Sequence, residues 1–307
     1  MQSVQPADRA VLVLGEALVD QFSDGAVPGG APFNVARSLA WLGVPVGFIS
    51  RIGADDADGR LLLDSARRYG LDTAGLQRDA QHATGRVSVH EQADGSHRFE
   101  IHADAAWDHI EPVAVQREDG IAYFGTLAQR SAASRASLRA AVKHGRGLAF
   151  LDLNLRPGPD LRELAAESLM LADWVKVNED ELATLLDWFA PEGVAALTGR
   201  FALQRLVVTR GAAGYALIGP AGDTLMAGEG VQQPQLVDTV GAGDAFTAML
   251  LAGLALRRPL AVTLGLANRY AAAICGLRGP LPADPAALQP WREALQALRS
   301  EPEEALA

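Results

Sequence analysis

"IAYFGTLAQRSAASRASLRAAVKHGRGLAFLD", residues 121–152, holds two short β-type apolar runs, 121–125 and 148–152, on either side of an amphipathic stretch at 131–143. Strand, helix and strand in that order make the unit of a parallel sheet with helices laid over it. The alternation continues in both directions. "VLVLG" at 11, "VGFISRIG" at 46, "WVKVN" at 174 and "LVVTR" at 206 read as further strands, and 57–69 as a further amphipathic helix. The expected fold is doubly wound α/β, a mostly parallel sheet with helices on both faces. No long Pro-, Gly- or Ser-rich linker and no solenoid-like repeat divides the chain, so 1–307 reads as one domain.

The whole chain sets further bounds. Its 307 residues, 49% of them hydrophobic, supply ample core. A formal charge of −10, from 27 Lys+Arg against 37 Asp+Glu, disfavours nucleic acid or an anionic membrane as partner, because either calls for a basic patch. The single cysteine, Cys275, has no internal disulfide partner and lies in an apolar stretch, which reads as a buried thiol in a cytoplasmic protein. "MQSVQPADRA" lacks the pattern of a signal peptide, and no apolar run reaches the ~20 residues that span a bilayer. The expectation is a soluble, unprocessed protein.

One segment breaks the alternation. "GRVSVHEQADGSHRFEIHA", 85–103, reads as two strands joined by a three-residue loop at Ala93, Asp94 and Gly95. That register sets Val87 opposite Ile101 and Val89 opposite Phe99, giving one apolar face. Such a hairpin can close over its own site or pair with a second copy in a homodimer. His90, His97 and His102 invite a metal reading, but the register puts His90 opposite Arg98 and His102 opposite Arg86, so a solvated face is expected.

Chemistry concentrates elsewhere. In "DTVGAGDAFTAMLLAGLA", 238–255, a Gly-Ala-Gly turn and Asp244 precede a long apolar helical run. Unpaired amides and the helix dipole at such an end stabilise a phosphate or developing anion, and the same field is expected to keep Asp244 ionised as a base. Asp244 as a plain N-cap is the competing reading. In "VKVNEDEL", 175–182, Asn178 and Glu181 can hold Mg²⁺ through water, or can form a capping box. "GGAPFNVARSLAWLG", 29–43, offers Gly29 and Gly30 amides and the Asn34 side chain to hydroxyls, with Asp20 as an acceptor, or is an ordinary strand-to-helix turn. Asp152, Asn154 and Arg156 follow one strand, and Thr209, Gly211 and Gly214 end another, at the sheet edge where ligands of open α/β sheets bind. Walker A, first-strand GxGxxG, GxSxG and HExxH patterns are all absent, so phosphate transfer here would proceed without a P-loop.

Taken in order, "GEALVD", "GGAPFNVA", "FISRIGADDADGRLL", "DLNLR", "KVNEDEL", "VTRGAAG" and "DTVGAGDAF" resemble the ribokinase-type (pfkB-type) carbohydrate kinases, most closely the bacterial fructokinase-like members, from about residue 11 to about 280. The resemblance implies transfer of the ATP γ-phosphoryl group to a sugar hydroxyl beneath a small β lid at 16–28 and 84–106. It implies Asp244 as catalytic base, with Gly241, Ala242 and Gly243 as anion hole. Asn178 and Glu181 would serve Mg²⁺ and phosphate, and Thr209, Gly211, Gly214 and Asn268 the nucleotide. Asp20, Gly29, Gly30, Asn34 and Arg156 would contact the sugar, and K⁺ would sit near Asp238. Fructose is the expected acceptor, with a 2-keto-3-deoxy sugar acid, another sugar or a nucleoside as the alternative. Many fructokinases carry an arginine after the second hairpin strand; Trp107 and Asp108 stand there instead, to replace that contact or to pack the lid.

Overall fold

The computed structural model describes residues 9–298 apart from 24, 92–96, 114–119, 145–146 and 159. Its strands are β1 (Val11–Leu14), β2 (Leu18–Phe22), β3 (Gly25–Gly29), β4 (Val46–Gly53), β5 (Leu76–Asp79), β6 (Gly85–Glu91), β7 (His97–Ile101), β8 (Ile121–Phe124), β9 (Leu148–Asp152), β10 (Trp174–Asn178), β11 (Arg205–Thr209), β12 (Tyr215–Ile218) and β13 (Thr224–Gly228). The helices are α1 (Ala31–Leu42), α2 (Ala57–Arg68), α3 (Ala132–Lys143), α4 (Leu161–Leu169), α5 (Glu179–Phe189), α6 (Val194–Arg200), α7 (Ala242–Ala255), α8 (Leu260–Ile274) and α9 (Gln289–Ala297).

The large sheet runs β13-β12-β11-β10-β9-β8-β1-β4-β5. All pairs from β11 to β5 are parallel, while β12 and β13 add an antiparallel edge. From β1 the chain builds outward through β4 and β5 on one side and through β8 to β11 on the other, so the strand order reverses at β1. Ligands of open α/β sheets bind beyond the strand C-termini at such a reversal. Strand side chains alternate between the two faces. Val13, Tyr123, Phe150 and Val207 pack with Leu39 of α1, Leu62 of α2, Leu250 of α7 and Leu264 of α8. Ala122, Phe124, Leu151 and Val175 pack with Leu138 of α3, Ala165 of α4, Leu185 of α5 and Leu197 of α6. These continuous apolar runs are what a sheet covered on both faces requires.

A second sheet, β3-β2-β6-β7, carries the expected hairpin. Val87 pairs with Ile101, Val89 with Phe99 and His90 with Arg98, as the alternation predicts; the loop at 93–95 lies outside the described residues. His102 Nε2 meets Ser88 Oγ at 2.8 Å, and His90 lies 3.4 Å from Glu100. Val87 and Val89 are buried within this one chain. Trp107 and Asp108 pack the foot of this sheet: both are buried, Arg130 grips Asp108 through two bonds of 2.8 and 2.7 Å, and its guanidinium lies 3.9 Å over the Trp107 ring. Cys275 is half-buried rather than buried, because its segment is a turn whose carbonyl accepts the Val237 and Asp238 amides. Among the described residues no helix is long and apolar enough to cross a membrane.

Candidate active site

Helix α7 is apolar around its whole circumference, with Ala245–Ala255 all buried between the sheet, α1 and α8. Its most exposed residues are those of the N-terminal turn, so contact with a ligand falls to that end. Gly241 caps it with φ 80, a left-handed value, and a Cβ there would lie 2.4 Å from Pro280 Cα. Backbone shape and close approach both demand glycine. Asp244 is the third helical residue and not the cap. The amides of Gly243 and Asp244 have no acceptor inside the helix, whereas Ala242 N–H turns to Thr239 O at 3.3 Å.

The half-buried Asp244 side chain is held from α1. Asn34 Nδ2 donates to its Oδ2 at 2.7 Å, and Arg37 donates to Asn34 Oδ1 at 2.6 Å. Because a guanidinium only donates, it fixes which way the Asn34 amide points. Arg37 is itself anchored by Ser65 Oγ at 2.8 Å and Pro28 O at 3.1 Å. The buried Asn34 is thus committed to Asp244. The helix-end field does not alone decide the charge of Asp244: burial pushes its pKa up and Asp152 adds to this, while Asn34, Lys176 and Arg156 pull it down.

Two further carboxyls share this field. Asp20, on β2, is pushed up to about 6, by burial first and then by Asp244, against the pull of Arg37 and Arg156. It crowds Gly29, where a Cβ would sit 2.2 Å from its Oδ2. Glu16 follows β1 and is only 2% exposed; its Oε2 has no hydrogen-bond partner among the described residues. Burial pushes it up to about 7, against its own backbone amide and Arg156 and with help from Asp244. Gly30 caps α1 against the Glu16 carbonyl. Arg156 is exposed and donates to Leu155 O at 3.0 Å.

Under the α7 end lies a buried ion pair. Lys176 of β10 reaches Asp152, its register partner on β9, at 3.0 and 3.2 Å, and Thr247 Oγ1 donates to Asp152 at 2.8 Å. Burial alone would lower the Lys176 pKa, but Asp152 and Glu181 raise it above its usual range. Its ammonium would lie 3.1 Å from a Cβ at Gly243, which puts a fixed positive charge beneath the glycine turn.

Asn178 and Glu181 form the capping box of α5: Asn178 Oδ1 accepts Glu181 N at 2.8 Å, and Glu181 Oε2 accepts Asn178 N at 2.9 Å. Glu181 Oε1 also accepts Leu155 N at 2.8 Å, tying the Arg156 loop to α5. Thr209 ends β11 and donates to Val177 O at 3.3 Å; Gly211 and Gly214 bound the single turn leading to β12. Asn268 of α8 donates to Glu229 O at 2.8 Å, bracing the segment after β13. Asp238 Oδ1 accepts Val240 N at 3.0 Å and Oδ2 accepts Gly279 N at 3.1 Å, joining the strap before α7 to the loop after α8.

The pfkB family carbohydrate kinases match residues 6–287. The chain belongs to that family. This pfkB kinase is 32% identical over 302 residues to a fructokinase of Klebsiella pneumoniae, across 90% of this chain and 96% of that protein. It is also 32% identical over 304 residues to a fructokinase of Escherichia coli, across 90% and 96%. A Vibrio cholerae fructokinase double mutant, solved with fructose, ADP and potassium ion, superposes with a TM-score of 0.81 at 27% identity, covering 94% of this chain and 99% of that one. An aminoimidazole riboside kinase of Salmonella enterica, solved with aminoimidazole riboside and an ATP analogue, superposes at 0.76 and 27% identity, covering 92% and 100%. The pfkB kinase is a phosphotransferase on a mostly parallel α/β scaffold with a second small sheet.

Glu16, Arg37, Lys176 and Thr247 carry no assignment from the sequence. Lys176 had a visible signal, a lone cation inside the apolar run "WVKVN". Glu16 had none beyond its place after the first strand, because its burial is made by residues distant in sequence.

Proposed function

We propose that this pfkB kinase transfers the γ-phosphoryl group of ATP to a hydroxyl of a small sugar, with fructose as the leading acceptor. The observation that carries this reading is Asp244 itself: a partly accessible carboxylate in the first turn of an otherwise buried helix, beside amides without intrahelical acceptors and oriented by Asn34. An acid whose pKa is raised is a stronger base once ionised. Asp244 takes the hydroxyl proton as oxygen attacks phosphorus, and the turn at Gly241, Ala242 and Gly243 with Lys176 beneath it balances charge on the moving group.

Asp20, with Gly29 and Gly30, receives the sugar hydroxyls; Asn34 acts through Asp244, and Arg156 stands at the exposed edge facing substrate and phosphate. Thr209, Gly211, Gly214 and Asn268 border the nucleotide. The donor set fits Mg²⁺ held through water: both Glu181 oxygens and the Asp152 carboxylate already accept hydrogen bonds from the protein, which suits an ion that keeps several waters and takes its direct ligands from phosphates. When bound, Mg²⁺ neutralises phosphate charge. Asp238 pins the two segments whose carbonyls would face K⁺. The small sheet serves as lid, excluding water from the reaction, and a second copy meeting it there would give a homodimer.

Fructose-bound and riboside-bound neighbours share this fold, so the acceptor is decided by measurement. ADP release is followed with fructose, ribose, a 2-keto-3-deoxy sugar acid and nucleosides. Fructose giving the highest kcat/KM supports the reading; a sugar acid ranking first would shift Arg156 to a carboxylate partner.

A further inference from the structure

Three side chains at the foot of the small sheet take no part in the site above. His82 lies three residues before β6 begins at Gly85, Asp104 three residues after β7 ends at Ile101, and His109 closes the single turn Ala106–His109. Their ligating atoms all lie within 4.8 Å of one another. His109 Nε2 is 2.8 Å and His82 Nε2 3.8 Å from the same oxygen, Asp104 Oδ1. The imidazoles stack with centroids 3.6 Å apart, so both Nε2 edges face one carboxylate.

A tetrahedral ion with Zn–N and Zn–O bonds of about 2.0–2.1 Å spaces its ligand atoms about 3.3–3.4 Å apart. The two His–Asp104 separations bracket that spacing and the third pair lies within 4.8 Å, so small movements, with the stacked rings splaying, complete three corners of a tetrahedron. The backing is of the kind metal sites use. Asp79 Oδ2 lies 3.0 Å from His82 Nδ1, while Asp79 Oδ1 accepts the Gln81 and His82 amides at 2.8 and 2.9 Å. By accepting a hydrogen bond from Nδ1–H, this carboxylate holds the proton on Nδ1 and leaves the Nε2 lone pair toward Asp104. The nearby Arg51 guanidinium is matched by Asp79 at 2.8 Å and Glu111 at 2.6 Å, leaving the charge of Asp104 to attract a cation.

We propose that His82, Asp104 and His109 bind a zinc-class divalent cation that ties both legs of the small sheet to the core. Two imidazoles select Zn²⁺ or Co²⁺ over Mg²⁺ and Ca²⁺, which separates this site from the Mg²⁺ of phosphoryl transfer. Three protein ligands leave the fourth corner to water.

The full-length protein, freed of metal by a chelator, is titrated with ZnCl₂ by calorimetry and with CoCl₂ by visible absorption. One equivalent of Zn²⁺, a tetrahedral Co²⁺ band, and persistence of both under excess Mg²⁺ are expected. Asp104→Asn alters a side chain that is 75% exposed and so leaves the fold intact; with His109→Gln as a second variant, each should weaken Zn²⁺ binding at least tenfold. Zn²⁺ should also slow hydrogen exchange in β6 and β7 of the unmodified protein and not of the variants. Absence of Zn²⁺ binding, or binding and exchange that neither substitution alters, overturns the proposal.

Discussion

Replacing Glu16 by Gln should stabilise the protein at alkaline pH and leave it nearly unchanged in acid. The side chain is 2% exposed with one oxygen unpartnered, and its pKa rises from an ordinary 4.5 to about 7. A pH unit is worth about 1.4 kcal/mol, so ionising Glu16 inside the fold costs ~3 kcal/mol relative to the unfolded chain. The sign follows from proton counting: between pH 4.5 and about 7 the folded state binds more protons at this carboxyl, so stability falls as pH rises through that window. Urea unfolding at pH 4.5, 6, 7 and 8.5 should show Glu16→Gln gaining up to ~3 kcal/mol at the top of the range and little at the bottom. An equal stability difference at every pH, or a loss at pH 8.5, would refute the reasoning.

Asn34→Ala removes the hydrogen bond that favours ionised Asp244. We expect kcat to fall about tenfold or more, with the acidic limb moving to higher pH, measured by pH–rate profiles. Lys176→Met leaves Asp152 buried beside Thr247 without its cation, and should cost ~3–5 kcal/mol of stability in urea titrations.

The parallel centre of the sheet was legible, whereas β12 (YALI) was not read although it is buried throughout, being a four-residue run joined antiparallel outside the strand-helix alternation. "IAYFG", "LAFLD" and "LVVTR" are continuous apolar runs because helices cover each side, and 131–143 shows its helical period plainly. β5, with sequence LQRD, and β13, with TLMAG, were not legible, since strands at the margins of a sheet carry polar or small residues and depend on a neighbour for pairing. The hairpin register was legible because one slip would mix its apolar and charged faces. Within the site, Asp244 stood out by its glycine turn, but its competing reading as a cap fell only when the backbone placed Gly241 at that position. The opposite held for Asn178 and Glu181, where the capping box formed. Glu16, Arg37 and the Lys176–Asp152 pair owe their character to desolvation and to partners on other elements, which no local pattern encodes.

The central claim is that Asp244 removes the acceptor proton. It is tested most directly by turnover of Asp244→Asn with ATP, Mg²⁺, K⁺ and the best acceptor, beside ATP binding by the same variant. A drop in kcat of ~10²–10⁴-fold with ATP affinity retained is predicted; near-normal kcat would contradict it.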